Sequence, residues 1–240
     1  MAEPFVLVDR EGDIVWLTLN RPQQLNAVHL QMRDELWTML TMLRDDPTVR
    51  VAVLRGAGRA FSAGADITEF GSAPSHIAAR EARLNRDLWG LMARLPMPLI
   101  AAIQGFAFGA GLELSLYCDL RIAAEDARFA LPEVTLGYIP SAGGTQTLSR
   151  HVNLGDAVRL ATTGDPIDAA EALEIGLVHA VVPLDRLEAE AREWAERLAA
   201  RDPRALRLTK RAVVEGLDLS LADGIALERR LATVARGALA

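Results

Sequence analysis

Glu113 stands in Leu112-Glu113-Leu114-Ser115-Leu116, a stretch otherwise apolar, and Glu133 follows Leu131-Pro132. A carboxylate in apolar surroundings is costly unless hydrogen-bonded, and desolvation raises its pKa. Pro132 suits the first turn of a helix, where a carboxylate is favoured by the helix dipole. The two glutamates are 133 − 113 = 20 positions apart, so only the fold can bring them together. Brought together, one can be held protonated and the other ionised, an acid and a base around one water. Taken singly, each also has a plain structural explanation. Glu113 can be a solvated or salt-bridged helix residue, and Glu133 a helix-start carboxylate.

Two further stretches each combine a strand end, a small-residue loop and a helix start: Ala60-Phe61-Ser62-Ala63-Gly64-Ala65-Asp66-Ile67 and Gly105-Phe106-Ala107-Phe108-Gly109-Ala110-Gly111-Leu112-Glu113. Small residues let a ligand approach the backbone, and a helix start offers unpaired N–H donors. One N–H from each loop aimed at one oxygen makes an oxyanion hole. Tight strand-to-helix turns are the competing explanation, and spacing alone does not choose.

Other motifs fail. Gly56-Ala57-Gly58 and Gly109-Ala110-Gly111 both lack the third glycine of G-x-G-x-x-G, with Phe61 and Leu114 in its place. There is no phosphate-binding G-x-x-x-x-G-K-[ST] loop and no G-x-S-x-G elbow around Ser62 or Ser141. Asp119, after Cys118, reads as a strand-start or packing residue.

These residues need a scaffold. Phe5–Val8 and the run through Ile14, Trp16 and Leu19 read as two strands about the turn Glu11-Gly12-Asp13. Met32, Leu36, Leu40 and Leu43 predict a helix from about Leu30 to Leu43. Val49–Leu54, Leu99–Ile103, Leu120–Ala124 and Arg128–Ala130 read as strands, the first two covered on both faces. Ile77, Leu84, Leu88, Leu91 and Leu95 form a helical stripe, and a short helix is expected around Leu112–Tyr117. The alternation predicts an α/β core. Beyond it the chain reads as helical, with stripes at Leu187, Ala191, Trp194, Leu198 and at Leu206, Val213, Leu217, and with Val178–Val182 as the one strand. A soft boundary falls near Pro183. It separates a core over 1–183 from a helical segment over 184–240 that is too small to fold alone, so both belong to one domain.

Composition narrows the classes. The chain has 240 residues, half of them hydrophobic, so it can build a sizeable core. Its net charge of −6 and lack of a Lys/Arg block argue against nucleic-acid and anionic-membrane partners. A single cysteine excludes a disulfide framework, and four scattered histidines show no paired metal spacing. No apolar run reaches the roughly 20 residues of a membrane span. The amino terminus carries neither a basic-then-apolar start nor an arginine-rich one, so a soluble, cytoplasmic protein is expected.

Several of these stretches, in order, resemble the crotonase (enoyl-CoA hydratase/isomerase) family. They are Leu25-Asn26-Ala27, Phe61 through Ile67, Gly105 through Glu113, Pro132-Glu133-Val134, Leu136-Gly137-Tyr138-Ile139-Pro140, Gly143-Gly144-Thr145-Gln146, and Gly164 through Val178. The resemblance covers nearly the whole chain. It implies a spiral of ββα units with a helical trimerisation segment, shorter here than usual, and assembly as a homotrimer or a dimer of trimers. It implies acyl thioesters of coenzyme A as substrates, with no metal or separate cofactor. By position, the N–H groups of Ala65 and Ala110 form the oxyanion hole. Leu25, Ala27, Ala63, Asp66 and Ile67 contact the substrate or its coenzyme, and Ser141 offers an N–H to the water. Glu113 and Glu133 fall at both glutamate positions of the hydratases. Glu133 then supplies a proton to the α-carbon and Glu113 activates the hydroxyl for the β-carbon, giving a 3-hydroxyacyl thioester. The family's isomerases typically keep only the second glutamate. A Δ3–Δ2 isomerase is therefore the alternative, and a non-catalytic binding protein a further one. Ala110 and Ser141 stand where glycine is usual in the family.

Overall fold

The computed structural model describes residues 3–69 and 86–237. Ile77 and Leu84, two members of the expected stripe, lie outside the described residues. The first two strands, β1 (Val6–Glu11) and β2 (Ile14–Leu19), form an antiparallel hairpin turning at Gly12, whose φ of +61° a side chain would strain. From β2 onward the large sheet is parallel. It adds β3 (Val51–Gly56), β4 (Leu99–Ile103), β6 (Leu120–Ala124) and β9 (Ala180–Val182), in the order β1-β2-β3-β4-β6-β9.

A second sheet, β5-β7-β8, is made of very short strands: β5 (Phe106–Phe108), β7 (Arg128–Ala130) and β8 (Ile167–Asp168). The second glycine-rich loop therefore contains a strand that its sequence did not suggest, and Val178–Val182 is not the only strand of the later chain. Three residues are too few to show alternation, and Gly105 and Gly109 at either side mask what pattern there is. Isolated bridges extend this sheet, pairing Ser62 with Ala107 and Val28 with Ala65.

The chain thus repeats one motion: a strand in the large sheet, an extended stretch in the second sheet, then a helix. β2 leads through Val28 to α1 (Leu30–Asp45), and β3 through Ser62–Ala65 towards α2 (Leu88–Ala93). β4 leads through β5 to α3 (Ala110–Leu116). β6 leads through β7 to a 3-10 turn, Pro132–Leu136, and then α4 (Gly144–His151). α5 (Leu154–Thr163) and α6 (Ala169–Glu174) follow.

Alternate side chains of the large sheet feed two cores. Val15, Leu17, Leu54, Ala101 and Ile103 pack towards α1 through α4, with Met32, Leu36 and Leu40 of α1 fully buried against them. Ile14, Trp16, Val53, Ile100, Ile122 and Ala124 face the other way and are covered by Leu187, Ala191 and Ala195 of α7 (Leu187–Ala199). Both faces of the parallel strands are dry, which is why they read as continuous apolar runs. Trp16 lies between the guanidinium groups of Arg55 and Arg192, each 4.9 Å from its ring, and Arg192 also pairs with Glu11.

The last helices, α8 (Pro203–Gly216) and α9 (Leu221–Arg236), pack on one another. α8 is latched to the sheet by Lys210, whose Nζ donates to Asp119 Oδ2 at 2.7 Å and to the Met97 carbonyl at 2.8 Å. Asp119 also accepts from the Leu99 N–H, so it is a packing residue where β4 and β6 begin. Leu206 and Val213 of the expected stripe lie on α8 and Leu217 follows its last residue, but Val213 and Leu217 are more than 60% exposed and no core among the described residues covers them. Among the described residues, no helix is long and apolar enough to cross a membrane.

Candidate active site

The second sheet delivers two backbone donors to one place. Val28 N–H donates to the Gly64 carbonyl and Asp66 N–H to the Val28 carbonyl, bracketing Ala65. That bridge turns the Ala65 N–H away from Val28, and it has no backbone partner among the described residues. Gly64 makes the turn at φ +107°, so close to β5 that a Cβ there would stand 2.9 Å from the Phe108 oxygen and 3.7 Å from the Ala110 nitrogen. Ala110 is the first residue of α3, where a backbone N–H has no intrahelical acceptor. Ala65 is exposed and Ala110 half-exposed, so both donors are open to a ligand.

The first turn of α3 carries Glu113, only 2% exposed. Its Oε1 accepts from the N–H groups of Ala142 and Gly144, each at 2.8 Å, which lie at the approach to α4. Burial pushes the carboxyl up to about 7, those two donors hold it from rising further, and the charge of Glu133 adds to the rise. Glu133 is the second residue of the 3-10 turn, just after Pro132. Its Oε2 is buried and meets no partner among the described residues. Its Oε1 lies against Gly109, where a Cβ would come within 2.8 Å. Burial raises its pKa as well, its own backbone N–H opposing. The fold thus brings the two carboxyl groups into electrostatic reach and sets Glu133 beside the cap of the helix that carries Glu113. Burial raises the pKa of both, but Glu113 has two N–H donors to steady its ionised form, whereas Oε2 of Glu133 has no partner among the described residues. That pair can hold and hand over a proton.

Of the remaining expected residues, Leu25, Ala27, Ala63, Asp66 and Ile67 adjoin the Ala65 turn, and Ser141 adjoins the donors of Glu113. Leu25 and Asn26 adopt left-handed backbone, φ +50° and +55°, and the Leu25 carbonyl accepts from the Ala63 N–H. Ala27 is held through its carbonyl by Arg21 Nη1 at 3.2 Å. The Asp66 carboxylate is fully engaged within the chain. Thr68 donates to Oδ1 and Arg21 pairs with Oδ2 at 2.5 Å, and these bonds, the Thr68 hydroxyl foremost, bring its pKa down to about 2. Asp66 therefore presents backbone, not side chain, to a ligand. Ile67 is 68% exposed, and Ser141 is exposed one residue before the Ala142 N–H that holds Glu113.

Sequence reasoning missed three contributors. Asn26, fully buried, donates to the Ala57 and Ala60 carbonyls and accepts from the Arg21 N–H, so it locks the turn behind Ala65. The Ala142 and Gly144 N–H groups leave no side-chain trace beyond the Gly143-Gly144 pair. Tyr117, the cap of α3, stacks on Trp89 with ring centroids 5.7 Å apart, and the charge of Glu113 acts on it.

The sequence model of the enoyl-CoA hydratase/isomerase family matches residues 9–236. The "Probable enoyl-CoA hydratase echA8" of Mycobacterium tuberculosis is 41% identical over 234 residues, 96% of this chain and 89% of its own length. The 2,3-dehydroadipyl-CoA hydratase of Escherichia coli is 39% identical over 229 residues, 95% and 89% of the two chains. Among solved structures, the enoyl-CoA hydratase of Bacillus anthracis superposes with a TM-score of 0.91 at 42% identity, over 95% of this chain and 90% of that one.

Proposed function

This chain belongs to the enoyl-CoA hydratase/isomerase family, and on that premise we propose that it adds water to a 2-enoyl-CoA thioester to give the 3-hydroxyacyl-CoA. The observation that carries the reading is the meeting of buried Glu113 with half-buried Glu133, set beside two N–H donors that have no backbone partner among the described residues.

The thioester carbonyl sits between the N–H groups of Ala65 and Ala110. As the β-carbon is attacked, negative charge grows on that oxygen, and donors already in place stabilise it without reorganising. Ala110 also brings the positive end of α3 to the oxygen. The water lies between the carboxyl groups, with the Ser141 N–H as a further donor to it. Glu113 takes a proton from the water as its hydroxyl bonds to the β-carbon, and Glu133 gives a proton to the α-carbon. The C=C π bond, one O–H bond of water and the Glu133 O–H bond break, while a C–O bond, a C–H bond and a Glu113 O–H bond form; return of the proton from Glu113 to Glu133 resets the pair, and no electrons leave the system. The reading therefore calls for no metal and no redox group, and coenzyme A enters only as part of the substrate. The backbone of Leu25, Ala27, Ala63, Asp66 and Ile67 receives the coenzyme portion, with Arg21 and Asn26 holding that backbone in shape. The exposed apolar faces of α8 and α9, including Val213, Leu217 and Leu221, support assembly as a homotrimer or a dimer of trimers.

The test is loss of the conjugated thioester absorbance of crotonyl-CoA on incubation with the protein. Glu113→Gln and Glu133→Gln are each expected to lower kcat by ~10²–10⁴-fold, the usual worth of acid–base catalysis. Full activity in either variant overturns the role given to that residue. A Glu113→Gln protein that lost hydration but still moved the double bond of a 3-enoyl-CoA would favour the isomerase reading instead.

A further inference from the structure

Arg121, on β6, is 1% exposed, and its side chain bonds to no carboxylate among the described residues. Its Nε donates to the Leu177 carbonyl at 2.6 Å, and Nη1 to the carbonyls of Cys118 at 2.7 Å and Ser115 at 3.3 Å. Nη2 meets His151 Nδ1 at 3.2 Å, and His151 Nε2 meets the Leu116 carbonyl at 2.8 Å. A guanidinium has donors only, so Nδ1 must be the acceptor, and Nε2 then carries the proton given to Leu116. His151 is thereby fixed as one neutral tautomer. Burial and the Arg121 charge, in that order, push its pKa down to about 4, in keeping with that state.

Of the carbonyls gathered here, those of Ser115, Leu116 and Cys118 lie at or just past the end of α3, where helix carbonyls lack intrahelical partners and a cation is favoured by the dipole, and that of Leu177 comes from the approach to β9. His151 is the last residue of α4. At the opposite ends of the same two helices, Glu113 accepts from the Ala142 and Gly144 N–H groups. The two helices are therefore fastened twice, once through the reacting carboxylate and once through Arg121 and His151.

We infer that Arg121 and His151 are positioning residues, a buried guanidinium–imidazole clamp that sets α3 against α4 and so holds Glu113 on its two N–H donors and Ala110 at the substrate oxygen. The clamp's effect on turnover rests on the hydratase reading above. Its geometric effect does not.

The experiment compares His151→Leu with His151→Gln, whose amide can accept from Arg121 and donate to Leu116. Two readouts are taken: hydration of crotonyl-CoA, and amide hydrogen exchange over residues 110–113 and 142–144. His151→Leu is expected to lower kcat ~10–100-fold with KM within about twofold, as a misplacement of about 1 Å in a reacting group does. Exchange in the two segments is expected to quicken by about tenfold or more, and His151→Gln is expected to restore both readouts to within about threefold of the parent. Should His151→Leu fail to fold, Arg121→Lys replaces it. That variant keeps the charge but has three donors where the guanidinium uses four contacts, so the same losses are expected. Unchanged exchange in the folded variant overturns the clamp, whether or not the parent hydrates crotonyl-CoA. So does a loss in His151→Gln as large as in His151→Leu. An inactive parent with quickened exchange in His151→Leu keeps the clamp and sinks only the hydratase reading.

Discussion

Replacing Glu113 by glutamine should make the protein more stable, and increasingly so as the pH rises. The amide oxygen can keep both N–H donors of Ala142 and Gly144, while the titrating proton and the buried negative charge are removed. In the unfolded chain this carboxyl ionises near its ordinary 4.5, and in the folded chain only near 7. The folded state thus binds the proton more tightly, so the parent loses stability as pH rises from about 4.5 through about 7. Each pH unit across that window is worth ~1.4 kcal/mol, giving ~3 kcal/mol by the time the group is ionised in both states. Below about pH 4.5 the contribution vanishes. The assay is urea unfolding of parent and Glu113→Gln at several pH values from about 4.5 to about 8. Protein concentration is held equal because subunit assembly shifts apparent stability. Titrations that do not feel the Glu113 charge are common to both chains, and the difference cancels them. In heating experiments the same gain corresponds to ~6–12 °C, at ~2–4 °C per kcal/mol for a chain of this size. A difference that stays flat with pH, or that shrinks as pH rises, refutes the claim that Glu113 is held above its ordinary range by burial.

Two other outcomes follow. Gly144→Ala places a methyl 2.8 Å from Glu113 Oε1 and 2.9 Å from its Cγ, so the carboxylate must swing off its donors. Hydration should then fall ~10–100-fold with an unchanged circular dichroism spectrum, and undiminished kcat would show that this placement does not matter. Light scattering should give a mass of three or six chains at micromolar concentration, and a monomer would remove the account given for the exposed faces of α8 and α9.

The strands that read clearly were those buried on both faces. Leu99–Ile103 and Leu120–Ala124 appear with the bounds expected for them, because largely apolar runs between turn residues have one good solution in an α/β core. β5 and β8 did not, since a strand of two or three residues has no period to detect. Glu113 could be picked out as a carboxylate in an apolar helical turn. Its meeting with Glu133 could not be derived from spacing, because it depends on how a strand from each of two sheets precedes each helix. The resemblance supplied it. The Ala142 and Gly144 donors are backbone groups that any residue would provide, and Asn26 matters through three hydrogen bonds that only the folded turn creates. The Val213–Leu217 stripe was legible from its helical spacing, but it stays exposed among the described residues, so its spacing did not mark a core of this chain.

The second core imposes an order on biosynthesis. Val53 and the strand beside it leave the ribosome early, yet the helix that covers their outer face begins at Leu187, 187 − 53 = 134 residues later. At ~5–20 residues per second that interval is roughly 7–27 s. Throughout it the face built from Ile14, Trp16, Val51 and Val53 has no partner on the nascent chain. The large sheet is therefore completed only after most of the polypeptide exists. Until then its uncovered side is a surface for chaperones to hold, or for neighbouring nascent chains to find first.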